Sequence, residues 1–248
     1  MPATPAWPPR SAPRLFVVPE LAEGAMVTLE GNPAHYLARV MRVAAGDTVI
    51  LCDDITGEWA AEVAYAGKRH VEVRVIRQMR GREHVPDFWL CPALIKRDRF
   101  YMVLEKATEL GAARIVPVIT RRSVVDKLNL ERAQTVVVEA AEQCARTALP
   151  DLAAPAPLDR LLRDWPAGRL LFFADEQGGA PVGDALRESE MAAILVGPEG
   201  GFDDAERAAI RQLPQARPIS LGPSILRAET AALAATALFM ALAGDWRG

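Results

Sequence analysis

Between residues 14 and 80 the apolar positions fall in short runs rich in β-branched residues: RLFVV, MVTLE, DTVILCD, EWAAEVAYA and HVEVRVIRQ. Glu23-Gly24, Gly46-Asp47, Thr56-Gly57 and Gly67-Lys68 separate them as turns. Residues 33–43 depart from this, with apolar positions at helical spacing that predict a short helix. Several short strands at close spacing predict a small β-barrel over 14–80. Residues 81–87, GREHVPD, read as a linker punctuated by Gly81 and Pro86.

From residue 88 the pattern changes to alternating strands and helices. Apolar runs at 88–95, 114–120, 169–175, 191–197 and 216–222 predict strands. Periodic segments at 97–110, 130–146, 203–213 and 226–242 predict helices. Gly111 follows the first helix where a left-handed C-terminal cap belongs. Asn129 is a plausible N-cap, and Asp203 with Glu206 has the spacing of a capping box. Such alternation predicts an α/β domain over 88–248 with a mostly parallel sheet covered on both faces.

Composition narrows the class. The chain has 248 residues, half of them hydrophobic and a quarter charged, as in an ordinary globular protein. The net charge of -3 is low for a nucleic-acid binder, so RNA contact would depend on a local patch. Cys52, Cys91 and Cys144 have neither CxxC spacing nor a metal-ligand pattern with His35, His70 or His84, so no metal is expected. Free thiols in a reducing cytosol are the simpler reading. Residues 1–13 hold five prolines and no apolar signal segment, which predicts a disordered leader and a cytoplasmic protein. The uncharged run between Glu229 and Asp245 is shorter than the roughly 20 residues of a membrane span.

Two segments carry candidate chemistry. In ILVGPEGGFDDAE, residues 194–206, a buried strand ends in a turn of glycines before a helix. Ligands of open α/β sheets sit beyond the C-terminal ends of strands, where this turn lies. It has neither GxGxxG nor a P-loop lysine, which disfavours the two familiar nucleotide sites. In ISLGPSILRAETAALAA, residues 219–235, another strand ends in Gly and Pro, with Arg227 and Glu229 at the mouth of an apolar helix. Alone, the first turn fits a plain connection equally well, and for the second the plain reading is preferred, because a carboxylate near a helix N-terminus is favoured by the macrodipole anyway and Arg227 fits an ordinary surface arginine.

Together, GPEGGF and SLGPSILRAETA resemble the SPOUT superfamily of RNA methyltransferases, and within it the family that methylates N3 of a uridine in 16S ribosomal RNA. RLFV at 14–17, HYLARVMRVAAGD at 35–47, KRDRFYMVLEKATELGAARIVPVITRRS at 96–123 and EAAEQCAR at 139–146 extend the resemblance over nearly the whole chain. It implies a PUA-like N-terminal barrel, a C-terminal domain tied in a trefoil knot, a homodimer, and S-adenosylmethionine as cofactor. By position it assigns cofactor contacts to Val196, Gly197, Pro198, Gly200, Ser220, Leu221, Gly222 and Leu226. It gives Arg227 the stabilisation of charge on the uracil oxygens. Glu229 would accept the N3 proton or orient Arg227.

Binding of 16S ribosomal RNA or the small subunit would fall to local charge. Residues 96–122 carry seven basic side chains against three acidic, a local excess of four. The RNA-binding candidates are Arg14, His35, Arg39, Arg42, Lys96, Arg122 and Arg146. Three positions depart from the family: Ser224 stands for the usual arginine, Ala228 for threonine, and Ala145 for the glycine before Arg146. The rival readings are an RNA-binding relative without catalysis, a SPOUT enzyme for another base or transfer RNA, and an unrelated α/β nucleotide enzyme.

Overall fold

The structure, a computed structural model, describes residues 8–9, 11–187 and 191–247. The leader expected over 1–13 lies mostly outside them. Two compact units form. One takes in the chain up to His84 together with Ala141–Ala148; the other takes in Val85–Ala140 and the chain from Leu149 onwards. Residues 141–148, expected inside the second domain, therefore pack with the first.

The first unit contains β1 (Arg14–Phe16), β2 (Met26–Glu30), β3 (Thr48–Cys52), β4 (Glu58–Ala66) and β5 (His70–Arg80) in the order β1-β3-β4-β5-β2. β1 runs parallel to β3 and the other pairs are antiparallel. Period-2 alternation sends Val27 and Leu29, and Val71, Val73 and Val75, into one core with Leu15, Leu37, Val49, Leu51 and Trp59. Register shifts between β4 and β5 mark bulges, which bend a sheet around its core. The short helix begins earlier than expected, as α1 (Gly31–His35), and runs on as a π-type turn over Tyr36–Met41. It stops at Arg42, whose φ of 56° is left-handed.

Asp53 holds the turn after β3. Its carboxylate accepts from the backbone N–H groups of Leu21, Ile55, Thr56 and Gly57 and from the Thr56 hydroxyl. Burial pushes the Asp53 pKa up, but these hydrogen bonds outweigh it and hold the group below its ordinary value.

In the second unit β6 (Phe88–Pro92) leads to α2 (Arg97–Glu109), β7 (Arg114–Ile115) and β8 (Val118–Ile119). The single strand expected over 114–120 breaks at Pro117, which has no N–H for the ladder. Next comes α3 (Leu130–Cys144), with Asn129 Oδ1 accepting from Arg132 N at 2.9 Å as the expected N-cap. β9 (Asp151–Leu152), β10 (Ala156–Pro157), α4 (Leu158–Arg163), β11 (Leu170–Ala174), β12 (Ala180–Pro181) and α5 (Val182–Ala185) follow. The chain continues with β13 (Ala192–Val196), α6 (Asp204–Gln212), β14 (Ala216–Ser220) and α7 (Ala228–Leu242). The main sheet has the order β12-β14-β11-β13-β6-β7-β9, and its pairings are parallel.

Alternation divides this sheet into two faces. Phe88, Leu90, Phe172, Ala192, Ile194 and Val196 pack against α2, α3 and α7. Cys91, Leu171, Phe173, Ala193 and Leu195 pack against α4, α6 and Trp165. The Phe88 and Phe239 rings stack at 4.4 Å between centroids and join β6 to α7. Such a pair contributes about 0.5–1.5 kcal/mol beyond its buried area. The buried face of α7 includes Ala228, Ala231, Ala232 and Ala235, small side chains that let the helix approach its neighbours in this core closely. Cys91 is a buried free thiol that burial pushes up to about 12, so it stays protonated and unreactive.

Candidate active site

β11 lies between β13 and β14, and all three run in one direction. Their C-terminal loops, 175–179, 197–203 and 221–227, are consequently neighbours, although 41 residues of chain lie between the first and the last. A cavity opens between them, the place where open parallel sheets take ligands. Val196, Gly197, Pro198, Ser220, Leu221, Gly222 and Leu226 line it. Gly200, the other expected cofactor contact, stands outside the lining, with its carbonyl accepting from Arg122 Nη1 at 2.7 Å.

The turn is fixed from several sides. Gly201 N donates to Pro198 O at 2.9 Å, with φ at +67°. A Cβ at Gly201 would lie 2.5 Å from Glu176 Oε1, so a side chain there would displace the Glu176 carboxylate as well as strain the left-handed backbone. Asp203 and Glu206 form the expected capping box at the start of α6. Glu206 Oε1 also accepts from Arg121 N at 2.7 Å, and Arg121 Nη1 pairs with Asp203 at 3.0 Å. Donation from Glu206 N, then the Arg121 guanidinium, holds the Asp203 carboxyl below its ordinary value despite opposing desolvation.

The cavity suits an adenosine-like group. Ile219, Leu221, Leu226, Ala228 and Ala231 supply apolar walls. The glycine-rich backbone leaves peptide edges within reach of polar ring atoms.

Arg227 is the N-cap of α7 and exposed, and among the described residues no hydrogen bond or ion pair engages its guanidinium. Glu229, in the first turn of the same helix, is buried. Its Oε1 lies 3.4 Å from Arg99 Nη1, whereas its buried Oε2 has no hydrogen-bond partner. Arg99 also reaches Glu199 at 3.9 Å. A buried acceptor without a donor is costly, which singles out Glu229 among the carboxylates of this region.

The basic candidates separate on burial. His35, Arg39 and Arg42 are exposed beside Tyr36, Val40 and Met41 on the helix of the first unit. Lys96 is exposed at the start of α2. Arg122 is exposed but tied to Gly200. Arg14 is largely buried in a 2.7 Å pair with Glu58. Arg146, expected to touch RNA, is instead buried, with Nε 3.4 Å from Glu83 Oε1. That oxygen also accepts from Thr147 N, so the guanidinium packs the segment at 83 and does not face solvent.

The sequence reading missed a buried charge cluster behind the cavity. Asp175 is fully buried between Arg207 and Arg211, the latter at 2.8 Å, and Arg207 Nη2 also donates to Glu176 Oε1 at 3.1 Å. Its trace was the i, i+4 arginine pair on α6, facing the sheet where a solvated face was the default. Arg99 was counted only as patch charge, although it lies in the first turn of α2 beside Glu229.

Comparison with known proteins agrees with this geometry. A family model described as an RNA methyltransferase domain matches residues 82–240, and one described as an RNA methyltransferase PUA domain matches 29–76. Ribosomal RNA small subunit methyltransferase E of Rickettsia conorii is 31% identical over 90% of this chain and 93% of its own. Its namesake from Synechocystis is 34% identical over 92% and 77%. A crystal structure of the Neisseria gonorrhoeae enzyme of that name, bound to S-adenosyl methionine, superposes with a TM-score of 0.87 at 28% identity, covering 95% of this chain and 99% of that one. With a PUA-like unit ahead of a parallel α/β unit and relatives matched nearly end to end, this chain belongs to the SPOUT RNA methyltransferase family of ribosomal RNA small subunit methyltransferase E.

Proposed function

We propose that this protein transfers a methyl group from S-adenosylmethionine to N3 of a uridine in 16S ribosomal RNA, working in the cytoplasm as a homodimer. One observation carries the reading. A glycine-lined cavity ends in the loop that carries the exposed, unengaged Arg227 into α7, whose first turn holds a buried Glu229 with one oxygen lacking a hydrogen-bond partner. The reading includes the family's trefoil knot, with the tail from Leu221 onwards threaded beside the 197–203 turn. Ile225, 92% exposed next to the cavity, is apolar surface that a second copy would cover. Among the described residues no helix is long and apolar enough to cross a membrane, and no cluster of side chains could hold a metal ion.

The cofactor supplies a methyl group on a sulfonium, already activated for displacement. The chain supplies position and charge. Val196–Pro198 and Ser220–Leu226 hold the adenosine, so the barrier falls chiefly through orientation. As N3 forms its bond to the methyl carbon and the carbon–sulfur bond breaks, the N3 proton must leave. Glu229 Oε2 accepts it, while Arg99 holds the other carboxylate oxygen in place. Arg227 donates to the uracil oxygens where negative charge gathers. The exposed His35, Arg39 and Arg42, with Tyr36 as a stacking platform, and Lys96 in the second unit contact RNA.

The test is mass mapping of 16S ribosomal RNA from cells lacking this gene. A single uridine should lose one methyl group and regain it when the wild-type gene is restored, but not with Arg227→Ala. An unchanged methylation map overturns the assignment.

A further inference from the structure

Glu176 has no place in the reaction described above, yet its side chain forms part of the cavity wall. It follows β11 and is held from behind. Arg207 Nη2 donates to its Oε1 at 3.1 Å, and Arg207 is itself buried, donating also to Asp175 and to Phe202 O. Asp175 is anchored by Arg211 and accepts from Gln177 N at 3.1 Å, so the loop carrying Glu176 is tied down on both sides. In front, Gly201 is bare where a Cβ would meet both Glu176 oxygens at 2.5 and 2.6 Å. The Glu176 side chain remains 47% exposed. A carboxylate is thus fixed in a wall whose other side chains include Ser220, Ser224, Leu221 and Leu226, with its neighbour Asp175 turned into the arginine pair.

The charge balance of the cluster selects its partner. Asp175 and Glu176 are matched by Arg207 and Arg211, so the group is formally neutral. A neutralised carboxylate is a poor counter-ion for a sulfonium or an ammonium. It remains a strong acceptor for neutral hydroxyl donors, and a carboxylate beyond a strand end is a recurrent partner of ribose hydroxyls in α/β sites. We propose that Glu176 accepts hydrogen bonds from the ribose hydroxyls of the adenosyl cofactor, and that the bare Gly201 keeps that approach open. This rests on the cofactor reading above.

The test is titration calorimetry on the full chain with S-adenosylmethionine, S-adenosylhomocysteine and an S-adenosylhomocysteine analogue lacking both ribose hydroxyls. Glu176→Ala should weaken S-adenosylmethionine and S-adenosylhomocysteine by the same factor, about tenfold or more, and leave the analogue's affinity at the wild-type value. Glu176→Gln, which keeps one acceptor oxygen, should lose less, and it serves as the reporter if the alanine variant does not fold. Undiminished binding by these variants overturns the inference. So does a larger loss for the sulfonium ligand than for S-adenosylhomocysteine, or an equal loss for the analogue, which would mark Glu176 as a loop prop. Failure of the wild-type chain to bind any adenosyl ligand would instead overturn the methyltransferase reading, and this inference with it.

Discussion

Arg122 donates from Nη1 to the carbonyl of Gly200 across 2.7 Å, so the loop after β8 grips the turn after β13 from 78 residues away. The Arg122 stem lies over Gly200, where a Cβ would stand in van der Waals contact with Arg122 Cδ at 3.4 Å. Arg122→Ala should therefore loosen the turn and weaken S-adenosylmethionine binding about tenfold, the scale of one charged hydrogen bond. The melting temperature should barely move, because the side chain is exposed. Calorimetry alongside a thermal melt checks both.

Arg227→Ala should lower kcat by about 100-fold or more while changing cofactor affinity less than threefold, as expected of a group that acts on developing charge. Glu229→Gln should do likewise. Single-turnover methylation of 16S ribosomal RNA, paired with cofactor titration, separates the two effects. Equal loss in both measurements would remove Arg227 from the chemistry.

Ala145 occupies the left-handed position that ends α3, with φ at +63° and Arg146 N donating back to Ala141 O. That is the setting in which glycine is preferred. Ala145→Gly should stabilise the protein by about 1 kcal/mol, since a left-handed non-glycine residue costs about 1–2 kcal/mol. For a chain of this size the melting temperature should rise about 2–4 °C.

Acid should strike the first unit through Asp53 and Glu58. Burial pushes both carboxyls up, but hydrogen bonds from Thr56 and Leu21 to Asp53, and from Arg14 and Arg80 to Glu58, hold them below their ordinary values. A depressed native pKa gives stability that is complete above the unfolded value and is lost as pH falls through the native one. Stability should thus be level above about pH 5 and decline below about pH 4. Asp53→Asn should cost about 1–3 kcal/mol near neutrality and flatten that decline. Denaturant melts from pH 3 to 7 measure it.

Arg39→Ala and Arg42→Ala should each weaken RNA binding across sequences and make its salt dependence shallower, by roughly one released counterion per lost phosphate contact. Ser224→Arg, which restores the family's usual residue at an exposed position by the cavity, should do the reverse. Filter binding between 50 and 200 mM salt reads the slopes.

Much of the local architecture was legible because local rules govern it. Met26–Glu30 and Glu58–Ala66 are strands with the expected ends, the Asp203–Glu206 capping box forms, and Gly111 takes its left-handed cap. The segment between 147 and 190 was read only for its strand at 169–175, since β9, β10 and β12 are two-residue pairings and α5 is one turn. Elements so short have no periodicity to detect. Arg146 misled for another reason. A basic residue after a helix looks solvated until the partner that buries it, Glu83, is brought from 63 residues away.

By itself the chain determined most of the longer strands and helices, and that two glycine turns belonged to one enzyme family. Side-chain periodicity and turn chemistry act over a few residues and are written in order along the sequence. Only the folded sheet decided that β11 would stand between β13 and β14, that Glu176 would face Gly201, and that Arg99 would meet Glu229. Strand order is set by which crossovers pack best over two whole faces, a collective balance that no local window contains.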